Sequence, residues 1–97
     1  MQRKIAIWGA SKAGQELFQK LNCYHEYEII CFVDDNIINN PNIFKKEIIN
    51  RLSLKSMINN GFINYVIIAI TSLTDNQKKD IKSFLKKLQV KYLIVGD

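Results

Sequence analysis

Apolar residues along this chain fall into continuous runs, separated by stretches in which they recur every three or four positions. The first run, Ile5-Ala6-Ile7-Trp8, ends at Gly9, as a buried strand does on entering a tight turn. Over residues 12–21, Ala13, Leu17 and Leu21 stand at i, i+4 and i+8, which predicts a helix with one apolar face. Residues 28–33 form a second strand, continuous rather than alternating, that stops at Asp34-Asp35. Between residues 36 and 50 the pattern weakens: Asn39-Asn40-Pro41-Asn42 predicts a turn or loop, and Glu47-Ile48-Ile49 a short edge strand. A brief helix is expected next, capped by Ser53 and stopped at Asn60-Gly61. Residues 64–70 read as a third strong strand. Thr74 and Gln77 have the spacing of a capping box at the head of another helix, and residues 90–95 close the chain as a strand.

Continuous apolar strands alternating with amphipathic helices predict an α/β domain whose parallel sheet is covered on both faces. At 97 residues there is room for one core, so residues 1–97 are expected to form a single domain. The expected architecture is a three-layer Rossmann-like domain with a mostly parallel sheet of four main strands. Right-handed crossovers place the first strand centrally, with the second and third on opposite sides of it. That order makes a topological switch point, and ligands of open α/β sheets bind outside the carboxyl ends of the strands there. The loops at 9–14, 34–36 and 71–74 converge on that crevice.

Composition narrows the function classes. A hydrophobic fraction of 47% is that of a folded protein. No apolar run approaches the ~20 residues that span a bilayer. Met1-Gln2-Arg3-Lys4 leads directly into a strand, so no signal peptide and a soluble, cytoplasmic domain are expected. The net charge of +5 raises nucleic acid as a partner. Six of the fourteen basic residues, however, lie between Lys78 and Lys91, where Ile81, Phe84, Leu85 and Leu88 recur at helical spacing. Those lysines read as the wet side of an amphipathic helix, and nucleic acid is not expected. Cys23 and Cys31 make no disulfide framework; Cys31 sits in an apolar run as a small hydrophobe, and His25, the one histidine, reads as a loop residue. No metal site is expected.

Candidate chemistry concentrates in Gly9-Ala10-Ser11-Lys12-Ala13-Gly14, a G-x-S-x-x-G sequence where a dinucleotide fold has G-x-G-x-x-G between strand and helix. Gly9 permits the turn, Gly14 close packing of helix on sheet, and Ser11 offers a hydroxyl where a pyrophosphate approaches the backbone. The helix N-terminus favours an anion, and Lys12 adds a full charge. The alternative is that both glycines serve packing alone. Asp34, 25 residues after Gly9, stands where an acid grips a ribose hydroxyl and disfavours a 2′-phosphate, which points to NAD over NADP. The Asp34-Asp35-Asn36 cluster reads equally as turn or cap chemistry. Ser72 and Thr74 could line the crevice or cap the next helix. No tyrosine is followed four residues later by lysine, and with a single histidine no Ser-His-Asp or Cys-His arrangement is convincing, so catalysis by this chain alone is not expected.

Three segments carry a resemblance: residues 5–14, Ile30-Cys31-Phe32-Val33-Asp34-Asp35-Asn36, and Tyr65-Val66-Ile67-Ile68-Ala69-Ile70-Thr71-Ser72. Together they resemble the nucleotide-binding domain that precedes the catalytic domain in CapD-like nucleoside-diphosphate-sugar dehydratases and epimerases of bacterial polysaccharide biosynthesis. Family members usually read Gly-Ala-Gly at the turn and Ala-Ile-Pro-Ser after the third strand; this chain has Ser11 and Thr71, and it lacks the family's hairpin glycine before Ile48. The resemblance implies NAD or a nucleotide sugar as ligand, with Gly9, Ser11, Lys12 and Gly14 on phosphate, Asp34 and Asp35 near the ribose, and Ser72 in the crevice. It also implies a catalytic domain or a second subunit as partner, at the cytoplasmic face of a membrane where transmembrane helices precede the domain. The N-terminal domains of sugar acyltransferases, which receive a UDP-sugar in the same crevice, share the strand–glycine and Phe-Val-Asp-Asp features but usually continue the turn with Gly-His. A ligand-free assembly domain is the third reading.

Overall fold

The computed structural model describes residues 2–36 and 42–95. Its elements in chain order are β1 (Arg3–Trp8), α1 (Lys12–Leu21), β2 (Tyr27–Val33), β3 (Asn42–Ile43), β4 (Lys46–Ile49), α2 (Arg51–Asn59), β5 (Tyr65–Ile68), α3 (Asp75–Lys87) and β6 (Lys91–Ile94). One six-stranded sheet runs β3-β4-β2-β1-β5-β6, parallel except for the β3–β4 hairpin. The α/β class and mostly parallel sheet therefore agree with the sequence reading, and β1 is central with β2 and β5 on either side. The switch point lies between β2 and β5, at the carboxyl end of β1.

Burial on both faces explains the continuous apolar strands. Ile5, Ile7, Ile29 and Phe32 pack with Phe18 of α1 on one face. Ala6, Trp8, Cys31, Val33, Val66 and Ile68 pack with Leu54 of α2 and with Ile81 and Leu85 of α3 on the other. On α1 the fully buried positions are Gly14 and Phe18, while Ala13, Leu17 and Leu21 flank them half-buried. The β1–β2 register shifts between Ile5 and Ala6, with Ile5 opposite Ile29 and Ala6 opposite Cys31. Ile30 is thus an extra residue, a bulge that turns it toward the same face as Cys31.

Several local expectations change. Asn50, not Ser53, caps α2: its side chain accepts from the Ser53 N–H at 2.9 Å, because β4 ends at Ile49 and the chain turns at once. The expected strand at Glu47–Ile49 is β4, but it is not the edge, since β3 pairs outside it. Asn42, expected in a turn, is the first residue of β3, and residues 39–41 of that expected turn lie outside the described residues. The capping box at Thr74 and Gln77 forms as expected. On the α1 side no helix covers β6 among the described residues, and Leu93 and Val95 remain half exposed.

Helix α3 closes with the Gln89 N–H donating to the Lys86 carbonyl and the Val90 N–H to the Leu85 carbonyl, a pair of bonds that needs a left-handed residue between. Gln89 takes that conformation, with φ 56°. A side chain there costs about 1–2 kcal/mol of local strain. Gln89→Gly should therefore raise stability by about 0.5–1 kcal/mol after the entropy of the freer unfolded chain is subtracted, read as a higher urea midpoint at unchanged m-value.

Candidate functional site

At the switch point five strand ends are held level by four backbone hydrogen bonds. Gly9 N–H donates to the Val33 carbonyl at 2.8 Å, Ala69 N–H to Trp8 at 2.8 Å, Val95 N–H to Ile68 at 2.9 Å and Asp34 N–H to Ile49 at 3.0 Å. The loops that leave these ends enclose a cavity of about 230 Å³. Its floor is Trp8 and Gly9; Ser11 stands on one side, residues 34–36 on another, and Ile70, Ser72 and Leu73 on a third.

Gly9 has φ 126°, and a methyl group there would come within 2.6 Å of the Ala69 carbonyl oxygen. Gly14 is buried beneath the turn, where a methyl group would overlap the Gly9 carbonyl oxygen. Both glycines are thus required by the close approach of β1, β5 and α1. What a ligand meets is the next layer. Ser11 is the N-cap of α1, but its hydroxyl makes no capping bond, and the first turn holds no acid. The first helical bond is Gln15 N–H to the Ser11 carbonyl at 3.0 Å, so the N–H groups of residues 12–14 have no partner within the helix. The Gln15 side chain donates to the Ala10 carbonyl at 3.1 Å and fixes the loop below them. Unused N–H groups, a positive helix end and a free hydroxyl suit a phosphate.

Across the cavity the charge is reversed. Asp34, Asp35 and Asp80 line this part of the cavity together with one guanidinium, that of Arg51, which pairs with Asp35 and Asp80. Asp34 accepts from the Asn36 N–H at 2.9 Å, so one of its oxygens builds the turn. Asp35 is committed elsewhere: Arg51 Nε donates to it at 3.0 Å and Nη2 at 3.1 Å, and Nη2 reaches on to Asp80 at 2.8 Å. The Asp35 hydrogen bonds foremost hold the Arg51 guanidinium charged, above its already high ordinary range, against the opposing effect of burial. Arg51 also lies 5.0 Å from the Trp8 ring centroid and 5.5 Å from that of Phe84, and the two rings meet edge to face at 5.8 Å.

Of the residues singled out in the sequence, the fold brings Gly9, Ser11, Asp34, Asp35 and Ser72 to one cavity. Lys12 is exposed and does not line it, and Gly14 supports it from below. Thr74 caps α3. Arg51, Asp80 and Trp8 were not expected here. Trp8, as the last residue of the first strand, was the one with a readable signal. Cys31 is buried and Cys23 exposed, both as free thiols, and His25 is exposed.

No protein-family model matches the sequence, and no curated protein does either. Among solved structures, a UDP-D-quinovosamine 4-dehydrogenase from Vibrio fischeri superposes with a TM-score of 0.88 at 30% identity, over 100% of this chain and 80% of that one. A repressor of the Rex family, RSP, in complex with β-NADH gives 0.73 at 19% identity, over 99% of this chain and 47% of that one. An engineered D-amino acid dehydrogenase bound to NADP+ gives 0.72 at 11% identity, over 100% of this chain and 28% of that one. The last two likenesses establish a shared fold.

Burial, with a smaller contribution from Glu47, pushes the Cys31 thiol up to about 12 from an ordinary 9.0. The folded state therefore keeps it neutral where the unfolded chain ionises it. Its contribution to stability should be complete below pH 9 and be lost as pH rises toward 12, at up to about 1.4 kcal/mol per pH unit. Urea unfolding from pH 8 to 11 checks this: the wild type should lose stability more steeply than Cys31→Ala, in which the other titrating groups are unchanged.

Proposed function

This chain belongs to the family of Rossmann-type domains that includes the Vibrio fischeri UDP-D-quinovosamine 4-dehydrogenase, and from that premise we propose that it is a nucleotide-binding module. Its ligand is NAD or a nucleotide sugar, and it serves an enzyme of the CapD-like kind that dehydrates, epimerises or oxidises nucleoside-diphosphate sugars in bacterial polysaccharide biosynthesis. The observation that carries the reading is the polarity of the switch-point cavity. Ser11, at the start of α1 and with its hydroxyl uncommitted to the cap, lines one side, and Asp34 lines the other. That is the arrangement a nucleotide needs, with phosphate on the helix end and a ribose hydroxyl on the acid.

A cavity of about 230 Å³ is smaller than the ~300 Å³ at which ligand pockets usually begin. A dinucleotide would exceed it, so the cavity would hold a nucleoside, and Ser11 with the exposed Lys12 would hold the phosphates. Bound NAD supplies a nicotinamide ring that accepts or returns hydride; this chain's residues bind and orient it. Asp34 would hold the ribose, Ser11 and the α1 N-terminus the phosphates, and Ser72 would line the β5 side of the same cavity. The proton transfers of sugar dehydration or epimerisation fall to another domain or subunit, because no tyrosine here has a lysine four residues on. A nucleotide sugar is the alternative ligand, supported by likeness to the Vibrio fischeri protein, a dehydrogenase of a UDP-sugar.

Trp8 is the one tryptophan in the chain and forms the cavity floor, so its emission reports occupancy directly. Titration with NAD+, UDP-N-acetylglucosamine and ATP should give a saturable change with one of the first two. Asp34→Ala should weaken that ligand about tenfold or more, the worth of a hydrogen bond to a charged group. A flat response to every nucleotide at millimolar concentration would leave an assembly domain without a ligand. Saturation by the UDP-sugar alone would favour the acyltransferase type of domain.

A further inference from the structure

Arg51 has no role in the reading above, yet among the described residues it is the one cation lining the cavity. It opens α2, beside the turn that carries Asp34. A Rossmann site with an arginine near the ribose acid accommodates a 2′-phosphate, because the guanidinium fork matches a phosphate's oxygens. Here that fork is filled. Asp35 takes the Nε and Nη2 edge with bonds of 3.0 and 3.1 Å, and the second Nη2 hydrogen goes to Asp80 at 2.8 Å. Three of five donors are spent on protein carboxylates. Trp8 and Phe84, 5.0 and 5.5 Å away, fix the guanidinium's place against the cavity wall.

The arrangement exceeds what joining elements requires. Asp35 and Asp80 are 46% and 63% exposed, and an ion pair so open to solvent contributes little to stability. At the ribose end of the cavity its charges matter more: two carboxylates exceed one guanidinium by one negative charge, and Asp34 adds another.

We propose that Arg51 is a caged specificity residue, withheld by Asp35 and Asp80 from a ribose 2′-phosphate, so that the site takes NAD and rejects NADP. This inference rests on the dinucleotide reading of the same cavity. Opening the cage frees the fork edge for phosphate and moves the preference toward NADP without adding a residue.

Isothermal titration calorimetry with NAD+ and with NADP+ tests it on the intact chain. The wild type should bind NAD+ at least about tenfold more tightly than NADP+. Asp35→Asn combined with Asp80→Asn should strengthen NADP+ binding about tenfold or more, the scale of a charge-assisted hydrogen bond gained, and change NAD+ binding much less. Adding Arg51→Met should abolish that gain, which separates release of the arginine from mere loss of negative charge. Asp80→Asn alone, on exposed α3, gives a smaller gain in the same direction and stands in if the double variant does not melt as a folded protein. An unchanged ratio of the two affinities overturns the cage, as does a gain that survives Arg51→Met. Wild type that binds NAD+ while the ratio stays fixed leaves the dinucleotide reading intact; wild type that binds neither dinucleotide overturns both.

Discussion

The contact between the turn after β1 and the start of α1 is the constraint on which this structure depends. Gly14 lies against the Gly9 carbonyl, and Gly9 in turn lies against the Ala69 backbone at the end of β5. A side chain at either position would push α1 off the sheet or β5 away from β1. Because both are glycine, the helix starts directly over the ends of the central strands, and its N-cap, Ser11, lines the crevice. The position of the candidate phosphate site follows from this packing. Glycines needed by the backbone and glycines needed by a ligand are hard to separate here, because the same close approach serves both.

Around that contact the two faces of the sheet do different work. The α1 face is aliphatic and aromatic throughout, with Phe18 between Phe32 and Phe44 at ring distances of 5.7 and 5.0 Å. The opposite face carries Trp8 up to the cavity floor, and Phe84 and Arg51 close over it. Arg51 thereby ties the turn after β2 to α2 and α3, three segments that share no strand pairing at that point. The cavity is consequently positive and donor-rich at the helix end and acidic at the other, a division that a nucleotide can span and a simple anion cannot exploit.

Neither the thiols nor the histidine of this chain line the cavity. The buried thiol stays protonated at neutral pH, the histidine lies on the surface, and Ser11 sits at a helix start. The same fold makes up 80% of a UDP-D-quinovosamine 4-dehydrogenase chain and 47% of an NADH-bound repressor.

Much of this was legible in the sequence because it depends on neighbours along the chain. The runs ending at Trp8 and Val33, the Thr74–Gln77 box and the Gly9–Gly14 spacing are local patterns, and together with the right-handed crossover rule they fix the strand order around β1. The sequence also carried Asp34 to the crevice, since the end of a strand next to the switch point can lie nowhere else. It could not reveal the Arg51 clamp, whose partners are 16 and 29 residues distant and meet only when α2 and α3 pack side by side. Nor could it assign different tasks to Asp34 and Asp35, adjacent and chemically identical, one turned to the loop and cavity and the other to Arg51. Periodicity records which face of an element is buried; which polar side chains share a pocket is decided by the distances between elements, and those exist only in the folded chain.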